Sequence, residues 1–169
     1  MTWQQSVTPL HRFYSCLPYL LPISAGVIYG ATLFQQFPIL VLPFFPFIWL
    51  YGNVLAFPLV PVLGLTGEFF LFMGLFFLIV RDSRIPHFIR FNTMQALLMQ
   101  IVLFIAQLFF QVVQQLSSNG LPSVISATIA NTIFIGTTLI AGYAIYQNVK
   151  GEYSDIPTLS QAASFQCEL

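Results

Sequence analysis

Two long stretches of this chain carry no charged side chain. Residues 13–67 and 91–149 contain no Asp, Glu, Lys or Arg, although together they make up most of the 169 residues. Only 6% of the chain is charged and 57% is hydrophobic, whereas soluble domains carry about 25% charged residues. So few polar groups cannot cover a surface that faces water. The composition therefore predicts a multi-pass membrane protein and excludes an ordinary soluble enzyme and a nucleic-acid-binding protein, which needs a basic face.

The apolar stretches are continuous, as in residues 69–80 and 97–106. Continuous runs of roughly 20 apolar residues form membrane-spanning helices, whereas the strands of a membrane β-barrel alternate apolar and polar side chains. We therefore predict an all-α membrane protein with four transmembrane helices. The predicted divisions are a short polar N-terminal segment at 1–12, a membrane domain at 13–149 with spans at 13–33, 62–80, 88–115 and 123–149, and a tail at 150–169. The prolines and glycines of the first span predict a kinked or partly unwound helix.

Residues 36–61 are hydrophobic enough to form a further span. They also contain five prolines, and the aromatic residues Trp49 and Tyr51 are typical of the membrane–water interface. Counting this segment as a span gives five crossings, and leaving it out gives four. With four crossings all five Lys and Arg residues fall on one side, as the positive-inside rule favours. We therefore predict a proline-rich re-entrant or interfacial segment here, with both termini on the cytoplasmic or stromal side.

Polar side chains concentrate between the second and third predicted spans. The segment 81–95 holds three of the five cations and one of the two histidines. Two interpretations stay open: the arginines anchor the loop at lipid phosphates, or the segment binds a partner or a passing substrate. The candidate residues in this loop are Arg81, Arg84, His87 and Arg90.

The third predicted span carries a row of uncharged polar side chains. At 100° per residue they lie within a face of roughly 100°, and they are Asn92, Thr93, Gln100, Gln107, Gln111 and Gln114. Because an unpaired amide in hydrocarbon costs on the order of 1–3 kcal/mol, this face is not expected to meet lipid. It either forms hydrogen bonds between helices or lines a transport path. Asn131 belongs to a row of small and polar residues on the fourth predicted span, where close helix packing is the favoured interpretation.

Glu68 is the one acidic residue inside a predicted span. It lies thirteen residues before Arg81, or about 20 Å along a helix, which predicts a position toward the outer boundary of the membrane. A proton-coupling role in a small-solute transporter is one hypothesis for it. The sequence shows no phosphate-binding glycine loop, HExxH pair or GxSxG motif. We therefore predict no catalytic residues, no metal site and no cofactor.

Several runs of the sequence resemble one known family. Residues 76–98, FFLIVRDSRIPHFIRFNTMQALL, resemble the signature of the twenty-kilodalton subunit of Tic, the translocon at the inner envelope membrane of chloroplasts, a family that includes cyanobacterial homologues. Further similar runs are CLPYLLP (16–22), FQQFPIL (34–40), NTIFIG (131–136) and YQNVKGEYSDIPTLSQA (146–162). Together they cover nearly the whole chain in the family's order.

The resemblance implies a four-helix, non-enzymatic membrane subunit of a protein-translocation complex that can take part in forming a channel. It places the chain in a cyanobacterial membrane or the plastid inner envelope. The resemblance implies other translocon subunits as partners and precursor polypeptides as cargo. Membrane lipid and further copies of the chain are also expected partners, and no nucleic acid is expected. The residues that match the motif are Arg90, Phe91, Asn92, Met94 and Gln95. A structural or assembly subunit of a membrane complex and a small-solute transporter remain as alternatives.

Overall fold

The computed structural model describes residues 8–60, 62, 65–116, 123–154, 156 and 159–168, without the side chains of 113, 114, 116, 123 and 165–168. The helices of this part of the chain are α1 (Pro9–Gln36), α2 (Pro38–Leu55), α3 (Gly67–Val80), α4 (His87–Leu116), α5 (Ser123–Lys150) and α6 (Leu159–Glu168). Two short strands, β1 (Pro58–Val60) and β2 (Leu65–Thr66), pair antiparallel between α2 and α3. Helices α1, α2, α4 and α5 are long and apolar enough to cross a membrane. The prediction of an all-α membrane fold with four spanning-length helices is confirmed.

Helix α1 departs from regular α-helix geometry at two places. It begins at Pro9, after Thr8, whose hydroxyl accepts a hydrogen bond from the His11 N–H over 3.4 Å. It then tightens into 3₁₀ turns at Leu17–Tyr19 and Val27–Gly30. The first of these turns contains a proline, which has no N–H to donate along the helix. Helix α1 therefore runs from Pro9 to Gln36 with two 3₁₀ turns, and a kink or unwinding within it stays a prediction.

The second spanning-length helix lies earlier in the chain than the predicted span at 62–80. Helix α3 has 9 α-helical and 5 π-helical residues, fewer than the roughly 20 needed to cross alone. Helix α2, of 18 residues, is formed instead by the proline-rich segment. Pro38 opens this helix and Pro46 lies inside it. A proline at the beginning of a helix removes no intrahelical hydrogen bond, whereas Pro46 removes one inside it.

Helices α1 and α4 run in parallel. Tyr19 of α1 contacts Gln95 of α4. Further toward the C-terminal end of both helices, Tyr29 of α1 and Gln100 of α4 line the same cavity. The end of α1 at Gln36 therefore lies toward the far end of α4, and α2 starts there. Since the chain reverses between α1 and α2, the latter runs antiparallel to α4.

Helices α2 and α3 meet beside the middle of α4. Tyr51, near the end of α2, and Glu68, in the first turn of α3, line one cavity with Gln100, near the middle of α4. From there α3 runs to the beginning of α4, where Arg90 Nε donates a hydrogen bond to the Val80 carbonyl over 2.8 Å. The break between α2 and α3 therefore lies at the level of Gln100.

The cations gather at one end of the bundle. Arg12 Nη1 donates to the Val149 carbonyl over 3.3 Å, directly before Lys150. His87, which follows the arginine-bearing loop, has its Nδ1 atom 3.2 Å from the Tyr153 hydroxyl oxygen. The beginning of α1, the loop before α4 and the end of α5 therefore lie together. The side of the membrane that this end faces stays a prediction.

The core lies in the half of the bundle near the cations. Helix α6, in the segment predicted as a tail at 150–169, packs against α4 and buries Ala163. One hydrophobic cluster consists of Leu21, Leu55, Val80, Phe91, Met94, Leu97 and Ala163. The other consists of Tyr19, Ile23, Ala96, Met99, Ala141, Ala144 and Ile156. Both clusters are built on the first half of α4, so most of the tertiary packing is concentrated there.

Candidate functional site

The polar side chains at the beginning of α4 are buried inside the protein. Asn92, Thr93 and Gln95 have no exposed surface. The Tyr19 hydroxyl donates to Gln95 Oε1 over 2.7 Å and lies 3.4 Å from Asn92 Oδ1. Asn92 Nδ2 donates to the Phe88 carbonyl over 2.8 Å. These amides therefore form hydrogen bonds within the chain instead of facing lipid or a path.

Gln95 also holds the segment that follows α5. Its Nε2 atom donates to the Ser154 carbonyl over 3.1 Å, and the Ser154 hydroxyl donates back to Gln95 Oε1. An amide suits this position because it offers donors and an acceptor at the same site. We call Tyr19, Asn92, Gln95 and Ser154 the buried polar cluster. It connects α1, α4 and the segment leading to α6.

The remaining motif residues divide between the core and the surface. Phe91 and Met94 are buried in the first hydrophobic cluster, and Arg90 is half-buried against α3. Arg81 and Arg84 are exposed. His87 is also exposed, stacks on Phe91 with ring centroids 6.3 Å apart, and lies beside Tyr153. Two arginine side chains of the loop are therefore exposed at the surface, while most side chains of the motif that follows are packed inside the protein.

The predicted row of amides on α4 changes its environment along the helix. Gln100 is almost fully buried, Gln107 is half-buried and Gln111 is exposed. The side chain of Gln114 lies outside the described part of the structure. On α5, Asn131 is half-buried and its Oδ1 accepts a hydrogen bond of 2.5 Å from the Thr32 hydroxyl, as expected for helix packing. The part of the row up to Gln100 is therefore buried, and the part beyond it is accessible.

Gln100 and Glu68 meet at the break between α2 and α3. Gln100 Nε2 donates a hydrogen bond to Glu68 Oε1, beside a cavity of about 530 Å³. The cavity is lined by Tyr51, Ala56, Thr66, Glu68, Phe69, Phe72, Met73, Gln100, Ile101, Phe104 and Gln107. Glu68 was expected toward the outer boundary, but it lies beside the middle of α4. The reason is that α3 is short and its end at Val80 contacts Arg90 at the beginning of α4.

The sequence indicated the polar residues of α4 but not their partners. Tyr19 and Ser154 were not among the candidates, although both lie in runs that carry the family resemblance, CLPYLLP and YQNVKGEYSDIPTLSQA. Within the described ranges, no group of three or more His, Cys, Asp and Glu side chains could hold a metal ion.

Long apolar helices, with Asn92 and Gln95 paired inside the bundle, define the chain as a multi-pass helical membrane protein. The chain belongs to the family described as chloroplast import apparatus Tic20-like, whose model matches residues 6–163. It is therefore a membrane subunit of protein-translocation machinery.

Named relatives agree with this membership. A Tic20 family protein of Synechocystis is 36% identical over 92% of this chain and 91% of its own length. Protein TIC 20-v, chloroplastic, of Arabidopsis thaliana is 30% identical over 95% of this chain and 73% of its own length. The Tic20 family protein Ycf60 of Cyanidium caldarium is 34% identical over 92% and 72%. Similarity thus extends over nearly the whole chain in each case.

Proposed function

We propose that α4 beyond Gln100 lines or flanks the path of a polypeptide through the membrane, and that the chain acts there without enzymatic activity. Precursor polypeptides are the cargo in this proposal, and other translocon subunits and further copies of the chain are the neighbours. The membrane is a cyanobacterial membrane or the plastid inner envelope. The names of the relatives support this setting.

The proposal is supported by the way the exposure of the amide side chains increases along α4. Gln111 is exposed on a membrane-spanning helix and Gln107 is half-exposed on the same face. The opposite face presents Val102 and Phe109, which are 55% and 69% exposed and suit lipid. An unpaired amide in hydrocarbon costs on the order of 1–3 kcal/mol, so the face with Gln107 and Gln111 needs polar contacts from outside the chain. Uncharged amides can exchange hydrogen bonds with any passing backbone without holding it tightly.

The described part of the chain supports a path that is shared with neighbours. The cavity at Glu68 holds about 530 Å³ and is bordered by α2, α3 and α4. It has room for side chains but not for a continuous polypeptide. In this proposal the path is therefore completed by neighbouring subunits or copies that face the accessible half of α4.

Single-cysteine labelling tests the proposal. Cys16 and Cys167 are replaced by serine, and one cysteine is introduced at 107, 111, 102 or 109 in the complex in its native membrane. We expect a water-soluble maleimide to react at 107 and 111, because these positions meet water, and to spare 102 and 109. Reaction at 102 and 109 alone would show that the amide face does not border an aqueous path.

An assembly role is the second candidate, and the exposed Gln111 supports it as well, since a partner helix could cover this amide. In that case cysteines at 107 and 111 react in the purified chain but are protected in the complex. Gln107→Leu and Gln111→Leu would then release the subunits that otherwise co-purify. Maleimide reaction at both positions inside the intact complex argues against this role.

A further inference from the structure

A carboxylate lies at the break in the bundle with no cation to match it. Glu68 is in the first turn of α3, where the helix dipole favours a negative charge. All five Lys and Arg residues of the chain lie away from Glu68, at the end of the bundle formed by Arg12, the 81–90 loop and Lys150. Among the described residues that line the cavity, none is basic. A membrane-embedded carboxylate normally pairs with a partner group, so this one has room for a cation from elsewhere.

Gln100 adds a second acceptor at the same place. Its amide group is oriented by Glu68, because turning it over would place two acceptor oxygens against each other. In the observed orientation Nε2 is used by the carboxylate, and Oε1 is buried without a hydrogen-bond partner. Gln100 is only 4% exposed, so water at the protein surface does not satisfy this oxygen. A buried acceptor of this kind favours a ligand that brings its own donors.

The surrounding side chains fit a cation on an apolar stem. Phe69, Phe72 and Phe104 line the cavity beside Glu68, and aromatic faces attract ammonium and guanidinium groups. A smaller adjoining cavity brings in the Tyr29 hydroxyl, which is also buried and unpaired. Carboxylate, amide oxygen and phenol oxygen together offer several acceptors to one group with several N–H donors.

The depth of the site decides where such a cation comes from. Gln100 lies thirteen residues from His87 and sixteen from Leu116 along α4, or about 20 Å and 24 Å from the two ends. The amine of a lipid headgroup stays at the interface and does not reach this level. A lysine or arginine on a polypeptide inside the membrane does.

We propose that the Glu68–Gln100 cavity binds the Lys or Arg side chain of a polypeptide segment within the membrane. The proposal rests on the proposed function, since a translocation subunit meets polypeptides as its partners. The ammonium or guanidinium group takes the Glu68 carboxylate and Gln100 Oε1 as acceptors, while its alkyl stem packs on the phenylalanines. The break between α2 and α3 is what opens this position to a neighbour.

Peptide binding to the purified full chain in phosphatidylcholine nanodiscs tests the proposal. The probe is an apolar helical peptide with one central lysine and a terminal dansyl group, compared with the same peptide carrying norleucine. Energy transfer from tryptophan reports binding. Because charge-assisted hydrogen bonds are among the strong ones, we expect the lysine peptide to bind about tenfold more tightly. Glu68→Gln abolishes the preference, Gln100→Leu reduces it, and the control Glu152→Gln, which changes an exposed acid outside the bundle, leaves it unchanged.

Three outcomes overturn the proposal. They are equal binding of the lysine and norleucine peptides, a lysine preference that survives Glu68→Gln, and loss of the preference when phosphatidylethanolamine replaces phosphatidylcholine, which would make a lipid amine the ligand. Thermal unfolding and circular dichroism of each variant show whether it is folded. If Glu68→Gln does not fold, Gln100→Leu is used in its place to test the lysine preference. Any of these failures leaves maleimide reaction at 107 and 111 unaffected. Failure of that labelling would count against the path and not against the cavity.

Discussion

Gln95 is the residue through which the beginning of α4 holds both ends of the chain. It accepts hydrogen bonds from the hydroxyls of Tyr19 and Ser154 and donates one to the Ser154 carbonyl. Gln95→Leu keeps roughly the size of the side chain and removes all three bonds. The Tyr19 hydroxyl then keeps the contact of 3.4 Å to Asn92, and the Ser154 carbonyl loses the hydrogen bond from Gln95.

The size of the effect follows from these three bonds. A buried hydrogen bond contributes about 0.5–1.5 kcal/mol, and bonds between membrane helices average about 0.6 kcal/mol. Leaving buried partners unpaired adds to this loss, so we expect the free energy of unfolding to fall by about 2–4 kcal/mol. For a chain of this length each 1 kcal/mol corresponds to about 2–4 °C in melting temperature. The expected decrease is therefore roughly 4–16 °C.

Thermal unfolding in mild detergent measures this decrease, with Gln111→Leu as the matched control. Gln111 is an exposed amide on the same helix, so its replacement should change the melting temperature by little. Limited proteolysis gives a second readout, because Gln95→Leu should release the segment after α5 and expose α6 to cleavage. Equal melting temperatures for the two variants would refute the view that the buried polar cluster stabilises the fold.

Three further predictions concern packing, topology and the α1–α5 contact. Gly26→Ala should destabilise the protein by about 1–3 kcal/mol, because its Cβ would lie 2.9 Å from Thr137 Cγ2. Adding Thr137→Ser should recover most of this loss, whereas Gly136→Ala, with nothing within 4 Å of its Cβ, should be neutral in the same melting assay. In membranes, cysteines at 84 and 152 should react with an impermeant maleimide from one side and a cysteine at 37 from the other, and reaction of 84 and 152 from opposite sides would contradict the shared end of the bundle. Asn131→Leu should cost about 1 kcal/mol through loss of the bond to Thr32, with Thr32→Val giving a similar and non-additive decrease.

The sequence predicted the helices that are marked by local signals. Helices α4 and α5 correspond to the predicted spans at 88–115 and 123–149, because Pro86 precedes the first in the sequence and a run of Ser, Asn and Gly residues stands between the two. The assignment of α2 and α3 was less accurate. The positive-inside rule favoured leaving 36–61 out as a span, but this segment forms a helix of spanning length that begins at Pro38.

The candidate residues were found from helical periodicity, which identifies a face but not its neighbours. The row from Asn92 to Gln111 lies on one side of α4, yet α1 and the segment after α5 cover only its first half. Ser154 is 59 residues away from Gln95, and no local pattern connects the two. The position of Glu68 depended in the same way on where α2 ends, which is a property of the packed bundle.

The most direct test of the proposed path is site-specific photo-crosslinking during transport of a labelled precursor polypeptide. A photoreactive amino acid is placed at 111 or 107 on the amide face, at 109 on the apolar face, and at 95 in the buried polar cluster. We predict adducts to the precursor from 111 and 107 while transport is in progress, and none from 109 or 95. Precursor adducts from 109 alone, or equally from 109 and 111, would contradict the claim that the accessible half of the amide face meets the polypeptide.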